Sequence, residues 1–350
     1  MTEAMINLTF EDCKKSCVDT GSFTTLKDQA ILVTGGTGFM GKWIAEMVSF
    51  LNETEGLGIK LYLLARDIQK FRDEVPHLAG KSFINLLAQD VKNIHGLPED
   101  INYIIHAAGS PDNREHVSQP LRTVDNFYKG TQGILDAANR LPGLKKMVHI
   151  SSHQVYGQNN EGAPMSESFS GNQELNNINN NYADAKRIAE TLCRIYRSQM
   201  KVPVLIMRPF AFIGPYHDLE KPWAINNFIR DGILGGPIRI LGNGSTVRSY
   251  LYASDMAYWI LKTLVSGKVG ETYNLGSKQP ISLDRLAVLI RDAINHNIEI
   301  LSKSSKETYS KKSELVPDTA KISREIGVIE TTDITDSINR TIVWNQLKRQ

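Results

Sequence analysis

Cysteine is scarce in this chain, with only Cys13, Cys17 and Cys193 among 350 residues. A disulfide-stapled secreted scaffold is excluded, because such folds need several pairs. Long apolar runs are also missing. None reaches the ~18 residues of a membrane span, so no membrane partner is expected. Nor is there an excess of one charge. The 40 basic and 38 acidic residues leave +2, too balanced to demand nucleic acid or a membrane surface. The first ten residues hold no basic stretch and do not read as a secretory signal. A reducing, cytoplasmic location is the default expectation. No internal repeat is visible.

What is present is an ordinary globular composition, 41% hydrophobic and 22% charged, which excludes disorder along the whole chain. At ~150 residues per domain the length fits two domains, or one large α/β domain with a smaller one attached.

Residues 30–41 read AILVTGGTGFMG. A short β-prone run ends in a glycine turn, and Trp43, Ile44, Met47, Val48 and Leu51 then recur at helical spacing. Gly35, Gly38 and Gly41 stand three apart. Such a turn lets amide N–H groups approach a pyrophosphate, and the helix N-terminus favours its charge. Strand before and helix after supply the context this motif needs, so a dinucleotide site is expected.

A second strand over 59–64 leads into Ala65, Arg66 and Asp67, which face the adenosine ribose. A carboxylate there bonds the 2′-hydroxyl, whereas an arginine pairs with a 2′-phosphate. Arg66 tilts the reading to NADP, and Asp67 keeps NAD open. A third strand over 83–88 places Asp90 and Val91 beside the adenine. A fourth, over 103–106, is followed by Ala107, Ala108 and Gly109, small enough for close cofactor approach. His106 reads as a buried, hydrogen-bonded histidine.

A fifth strand over 148–151 runs into Ser152, His153, Gln154, Val155, Tyr156 and Gly157. Polar residues at the carboxyl end of a parallel strand are where open α/β sheets bind ligands. After an asparagine-rich loop, Tyr182 and Lys186 stand at i and i+4 of a helix and share a face. An ammonium near a phenol favours the phenolate, so Lys186 is expected to lower the Tyr182 pKa from ~10. Ser152 can donate to the same substrate oxygen.

Trp223, Ile225 and Phe228 suggest a helix toward the substrate. Residues 232–244 suggest a short strand between turns, one of them at Asn243-Gly244. Leu283, Leu286, Ala287, Leu289 and Ile290 read as core. The lysine- and serine-rich run 302–313 reads as a solvated loop. Residues 317–328 end in a small helix and turn. Before the first strand, Phe10, Cys13 and Cys17 fit a small helix lying over the domain or at a dimer contact. Two thiols without clustered partners make no metal site.

The sequence resembles the extended short-chain dehydrogenase/reductases, and within them the nucleotide-sugar epimerase/dehydratase group. The resemblance covers residues 30 to about 345. It is carried by the TGGTGFMG turn from Thr34, by His106-Ala107-Ala108, and by Ser151-Ser152 before Val155-Tyr156-Gly157. It continues through Tyr182 and Lys186, Arg208-Pro209 before Gly214-Pro215, and Tyr273-Asn274-Leu275-Gly276.

The resemblance implies a doubly wound parallel sheet of Rossmann type with a smaller C-terminal α/β substrate domain. The expected division is an N-terminal extension over 1–28, a dinucleotide domain over 29–214 and a mainly substrate-binding part over 215–345. The implied cofactor, NADP or NAD, would meet Gly35, Gly38, Phe39, Met40, Gly41, Arg66, Asp90, Val91, Ala107, Ala108 and Lys186. The implied substrate is a nucleotide-diphosphate sugar at Ser152, Gln154, Asn227 and Arg248. Ser152 and Tyr182 would flank sugar O4, and the Arg248 guanidinium would grip the diphosphate. A homodimer is implied through two helices, one carrying Ile134, Leu135 and Ala138, the other Ile188, Leu192 and Ile195.

The departures narrow the reaction. Members that remove water across C5–C6 usually carry an acidic pair where this chain has His153 and Gln154, and decarboxylating members tend to have glutamate at 154. Gln154 cannot exchange a proton usefully, while His153 can. Ala211 and Phe127 stand where asparagines are common, with Asn126 one residue displaced. A 4-epimerase fits first. An NADPH-dependent 4-ketosugar reductase, a 4,6-dehydratase using His153 as its acid, and a dinucleotide-binding regulatory protein are the alternatives.

Overall fold

The structure is a computed structural model that describes residues 1–159, 162–173, 176–242, 244–302 and 313–349. Asn243, and residues 303–312 of the lysine- and serine-rich run, lie outside the described residues.

The apolar runs become the strands of one parallel sheet. They are β1 (Ala30–Thr34), β2 (Lys60–Ala65), β3 (Ile84–Ala88), β4 (Ile101–His106), β5 (Lys146–Ile150) and β6 (Val204–Pro209), joined by a seventh strand, Thr272–Leu275. The spatial order is Thr272–Leu275, β6, β5, β4, β1, β2, β3. Chain direction across the sheet reverses between β1 and β4, and ligands of open α/β sheets bind at the strand ends beside such a switch point.

Both faces are covered, which is why β1 is buried throughout and lacks polar alternation. Ile31 and Val33 pack with Trp43, Met47 and Leu51 of helix α2 (Phe39–Glu55) and with Met256, Trp259 and Ile260 of the Ala253–Ser266 helix. Ala30 and Leu32 point the other way, to Ile134, Leu135, Cys193 and Tyr196, on the helices Pro120–Asn139 and Asn181–Met200. The fold is a doubly wound α/β sheet of Rossmann type.

The segment before β1 forms helix α1 (Glu3–Ser16), capped by the Thr2 hydroxyl. It belongs to the core of the monomer. Cys13 is fully buried, and Asp12 accepts hydrogen bonds from the Tyr252 hydroxyl at 2.6 Å and from Arg340 at 2.5 Å. Burial still pushes the Asp12 carboxyl up to about 7.

The C-terminal part builds its own core. Ile225, Phe228 and Ile229 meet Leu286, Ile290, Ile338 and Ile342 on the helices Ala224–Ile233, Leu283–Ile294 and Ile334–Leu347. Two short parallel strands, Ala211–Ile213 and Tyr250–Tyr252, carry this lobe over the cleft. The chain then returns to the sheet through Ala253–Ser266 and Thr272–Leu275. Among the described residues, no helix is long and apolar enough to cross a membrane.

Candidate active site

The glycine turn sits at the β1 end, beside β4. Gly35 has φ +69°, a left-handed conformation that favours glycine, and a Cβ there would lie 2.7 Å from the Ala107 carbonyl oxygen. A Cβ on Gly41 would lie 2.2 Å from the Gly36 carbonyl oxygen, so a side chain there would push helix and loop apart. Gly38 is the N-cap of α2 and offers no side-chain cap. The first-turn N–H groups at Phe39, Met40 and Gly41 are therefore available to an anion. This cradle fits a dinucleotide pyrophosphate.

His106 is 3% exposed and hydrogen-bonded to Thr34 at 2.7 Å, while Thr34 Oγ1 accepts from the Ala108 N–H. The buried histidine thus holds the end of β4 against that of β1, with Ala107 and Ala108 at the lip. Asp90 caps its own turn by accepting from the Lys92 N–H. The Val91 side chain and carbonyl lie against Gly130 and Gly133. Arg66 lines a cavity of about 230 Å³ with Glu115, Gln119, Arg122, Thr123 and Asn126.

Ser152, Tyr182 and Lys186 come together at the end of β5, each 5–7% exposed. The Ser152 hydroxyl accepts from the Gln154 N–H at 3.2 Å and lies near enough to the Tyr182 phenol to favour its ionised form. The phenol ring lies between two others. His116 stacks on it at 4.3 Å with planes 11° apart, and Phe127 meets it edge-on at 5.2 Å. Lys186 Nζ donates to the Ile150 carbonyl at 2.8 Å and sits over the Phe127 ring at 4.5 Å.

The expectation that Lys186 lowers the Tyr182 pKa is corrected here. Burial pushes the phenol up to about 12, opposed by the nearby Ser152 hydroxyl. The ammonium is turned toward a carbonyl and an aromatic face, and burial pushes it down to about 8. The Pro120–Asn139 helix is unbroken, with no bulge at 126–127; Phe127 faces the tyrosine and Asn126 faces the Arg66 cavity.

On the sugar side, His153 Nδ1 donates to the Pro209 carbonyl at 3.2 Å and its ring stacks on Phe210 at 5.1 Å. Burial and the charge of Arg248 push it down to about 4. The structure therefore brings His153 and Arg248 to the same end of the cleft. Arg248 donates to the Val247 carbonyl and to Ser313. Gln154 is half-buried one residue beyond His153. Asn227 is half-buried on its helix, while its neighbour Asn226 is buried and donates to the Asp218 carbonyl.

The sequence reading missed His116. Its Nε2 donates to the Ser110 carbonyl at 2.8 Å, and its buried Nδ1 has no partner among the described residues. It is 66 residues from Tyr182 along the chain, and no local spacing signals a stack at that separation. The dimer helices need correction as well. Ile134, Leu135 and Ala138 are at most 2% exposed and face the sheet, because the apolar stripe of that helix is used within the monomer. Ile188 and Ile195 remain 41% and 40% exposed.

A doubly wound sheet with this glycine turn and a C-terminal lobe over the cleft is the architecture of the extended short-chain dehydrogenase/reductases. The chain belongs to the NAD-dependent epimerase/dehydratase family, whose model matches residues 31–276, and it is an enzyme of that family. It is 27% identical to UDP-glucuronic acid decarboxylase 1 of Xenopus tropicalis over 323 residues, covering 91% of this chain and 73% of that protein. It is 26% identical to UDP-N-acetyl-alpha-D-glucosaminuronate decarboxylase of Bacillus cytotoxicus, covering 89% and 96%. In fold it is similar to UDP-glucuronic acid 4-epimerase of Bacillus cereus, solved with UDP-glucuronic acid and NAD. That match has a TM-score of 0.78 at 22% identity and covers 91% of this chain and all of that one.

Proposed function

We propose that the protein is a nucleotide-sugar 4-epimerase. The observation that carries this reading is the pairing of an intact, buried Ser152–Tyr182–Lys186 set with the uncharged neighbours His153 and Gln154. Family members that dehydrate or decarboxylate usually carry a carboxyl at one of these two positions, and epimerisation at C4 needs none there.

A bound nicotinamide would supply a reversible two-electron acceptor for sugar C4. Its pyrophosphate would lie on the Gly35–Gly41 turn. Tyr182 exchanges the proton of sugar O4. Held near 12, the phenol keeps its proton at neutral pH, so it needs a cation facing it to act as base. Lys186, one helical turn away, would supply that charge by turning its ammonium from the Ile150 carbonyl toward the phenol. Ser152 donates to O4 while the phenol is ionised. Arg248 meets the diphosphate, and Asn227 and Gln154 contact the rest of the nucleotide sugar.

Arg66, with Arg122 in the same cavity, supports NADP over NAD and gives the 4-ketosugar reductase as the second reading. A homodimer follows from the outward faces of the two neighbouring helices, where Leu121, Tyr128, Ile188 and Ile195 are exposed. Light scattering at micromolar concentration should give twice the 39.1 kDa chain mass, and a monomer mass refutes the dimer. The test of the function is incubation of the purified protein with nucleotide hexoses and no added reductant. C4 epimers should interconvert, and absence of interconversion with every nucleotide base represented contradicts the reading.

A further inference from the structure

We propose that His116 is a positioning residue for Tyr182, and that Lys221 of the C-terminal lobe sets it through Asp112, so that the lobe takes part in placing the phenol. The inference rests on the proposed function for one point only, that Tyr182 carries the proton.

His116 covers one face of the phenol. The stack is close and nearly parallel, 4.3 Å between ring centres with planes 11° apart, and Phe127 meets the phenol edge-on at 5.2 Å. A swing or tilt of the phenol would have to break one of these contacts. The two rings also keep water away, and burial is what raises the Tyr182 pKa.

His116 is itself fixed at two points. Its Nε2 donates to the Ser110 carbonyl at 2.8 Å, and its own carbonyl accepts from Asn181 Nδ2 at 3.0 Å. Asn181 directly precedes Tyr182, so the stack is registered to the tyrosine's own helix. Burial holds the imidazole below its ordinary pKa, against the Ser110 bond and the charges of Glu115 and Asp112 and with that of Lys186. The ring is therefore a neutral wall at pH 7. Its buried Nδ1 has no partner among the described residues. Such a lone pair costs stability, and an apolar side chain would fill the slot without it. What histidine adds is a flat face tied to Ser110 by a hydrogen bond.

The same loop leads to the lobe. His116 sits on the short helix Asn113–Ser118, whose N-cap is Asp112. Asp112 is 2% exposed. Its carboxylate accepts from the Arg114 N–H at 3.0 Å, from the Arg114 guanidinium at 3.1 and 2.9 Å, and from Lys221 Nζ at 3.0 Å. Arg114 belongs to the short helix. Lys221 comes from the lobe, in the segment between the Ala211–Ile213 strand and the Ala224–Ile233 helix. That segment also rests on the glycine-turn helix. The Pro215 carbonyl accepts from Trp43 Nε1 at 2.9 Å, and the His217 ring lies 4.1 Å from that of Phe39. It thus crosses from the glycine turn to the loop that carries His116. Lys221 grips that loop, beside a contact of Arg114 with the Glu220 carbonyl at 3.4 Å. Removing the Lys221 charge leaves Asp112 paired with Arg114, so the grip loosens without a buried carboxylate losing its last partner.

The test reads Tyr182 directly, in full-length protein carrying carbon-13 at tyrosine Cζ, with Tyr182→Phe assigning its NMR signal. In wild type the phenol should stay neutral to the alkaline limit of the fold. In His116→Ala water reaches the ring, and its titration should drop by about one unit or more toward the usual ~10. His116→Phe keeps a face on the phenol and should undo most of that drop. Lys221→Gln should move the Tyr182 signal in the same direction by less, and Lys221→Arg should restore it. Added to His116→Ala, Lys221→Gln should do nothing further, because the route to the phenol is already gone. Turnover of UDP-glucose with no added reductant should follow. We expect kcat to fall about tenfold in His116→Ala and about threefold in Lys221→Gln, with KM within about twofold. A Tyr182 signal unmoved by His116→Ala overturns the proposal, as does one that Lys221→Gln moves equally with and without His116. If His116→Ala does not fold, Lys221→Gln alone decides, and an unmoved signal overturns the proposal. The expected shifts without interconversion of nucleotide hexoses overturn the epimerase reading and leave this one standing, and interconversion without the shifts does the reverse.

Discussion

The two ends of the cleft are built on opposite terms. At one end Ser152, Tyr182 and Lys186 are almost sealed, and His116 and Phe127 lie against the phenol. At the other, His153, Gln154 and Arg248 are half-buried. A dry, packed end suits moving a proton between fixed partners, because electrostatic effects are strong there. An open polar end suits reading a ligand, because its groups wait for a partner that must arrive. Changes at the first end should therefore fall on rate, and changes at the second on affinity.

The largest effect is expected from Tyr182→Phe. The ring still packs between His116 and Phe127, so fold and cofactor affinity should hold. Turnover should fall ~100-fold or more, the scale of one positioned acid/base, as measured by steady-state kinetics beside cofactor titration. Near-wild-type turnover would remove Tyr182 from the proton path.

Next comes Lys186, whose ammonium is held down to about 8 from the usual lysine value. It is charged below that pH and neutral above it. Affinity for the dinucleotide should thus weaken as pH rises through about 8, because a charged cofactor contact is lost. In Lys186→Met the affinity should be weaker throughout and the step near 8 should vanish. A step that survives the substitution belongs to another group.

At the open end, Arg248→Gln should raise KM about tenfold and leave kcat within a few-fold, the pattern of lost uniform binding. A loss confined to kcat would put Arg248 in the chemistry and erase the contrast between the two ends. The smallest effect is expected at Arg66, which is exposed. Arg66→Ala should shift the NADP-to-NAD affinity ratio toward NAD by no more than about fivefold, the limit for a solvated ion pair.

The same contrast runs through what could be read from the chain alone. Strand, glycine turn and α2 were legible because each leaves a local signature, whether periodicity, spacing or the need for small residues. Tyr182 and Lys186 were legible for the same reason, being one helical turn apart. What was not legible depends on long-range packing. Nothing local tells that His116 reaches Tyr182, or that Ile134 and Leu135 face the sheet and not a second subunit. Local charge spacing implied a lowered phenol pKa. Burial, which only the folded chain creates, reversed its sign. The last helix, Ile334–Leu347, was also missed. Its buried face mixes Ile338 and Ile342 with Ser337, Thr341 and Asn345, so the apolar stripe that marks a helix is broken by polar residues.

The central claim is that one buried tyrosine serves a C4 inversion with no net redox change and no loss of water or carbon dioxide. The most direct measurement uses a nucleotide hexose deuterated at C4, incubated with the purified protein and no added reductant, with products read by mass spectrometry and NMR. The account predicts the C4 epimer with the deuterium retained at C4 and the C6 group intact. Loss of the deuterium to solvent, or a product lacking its C6 oxygen or C6 itself, would contradict it.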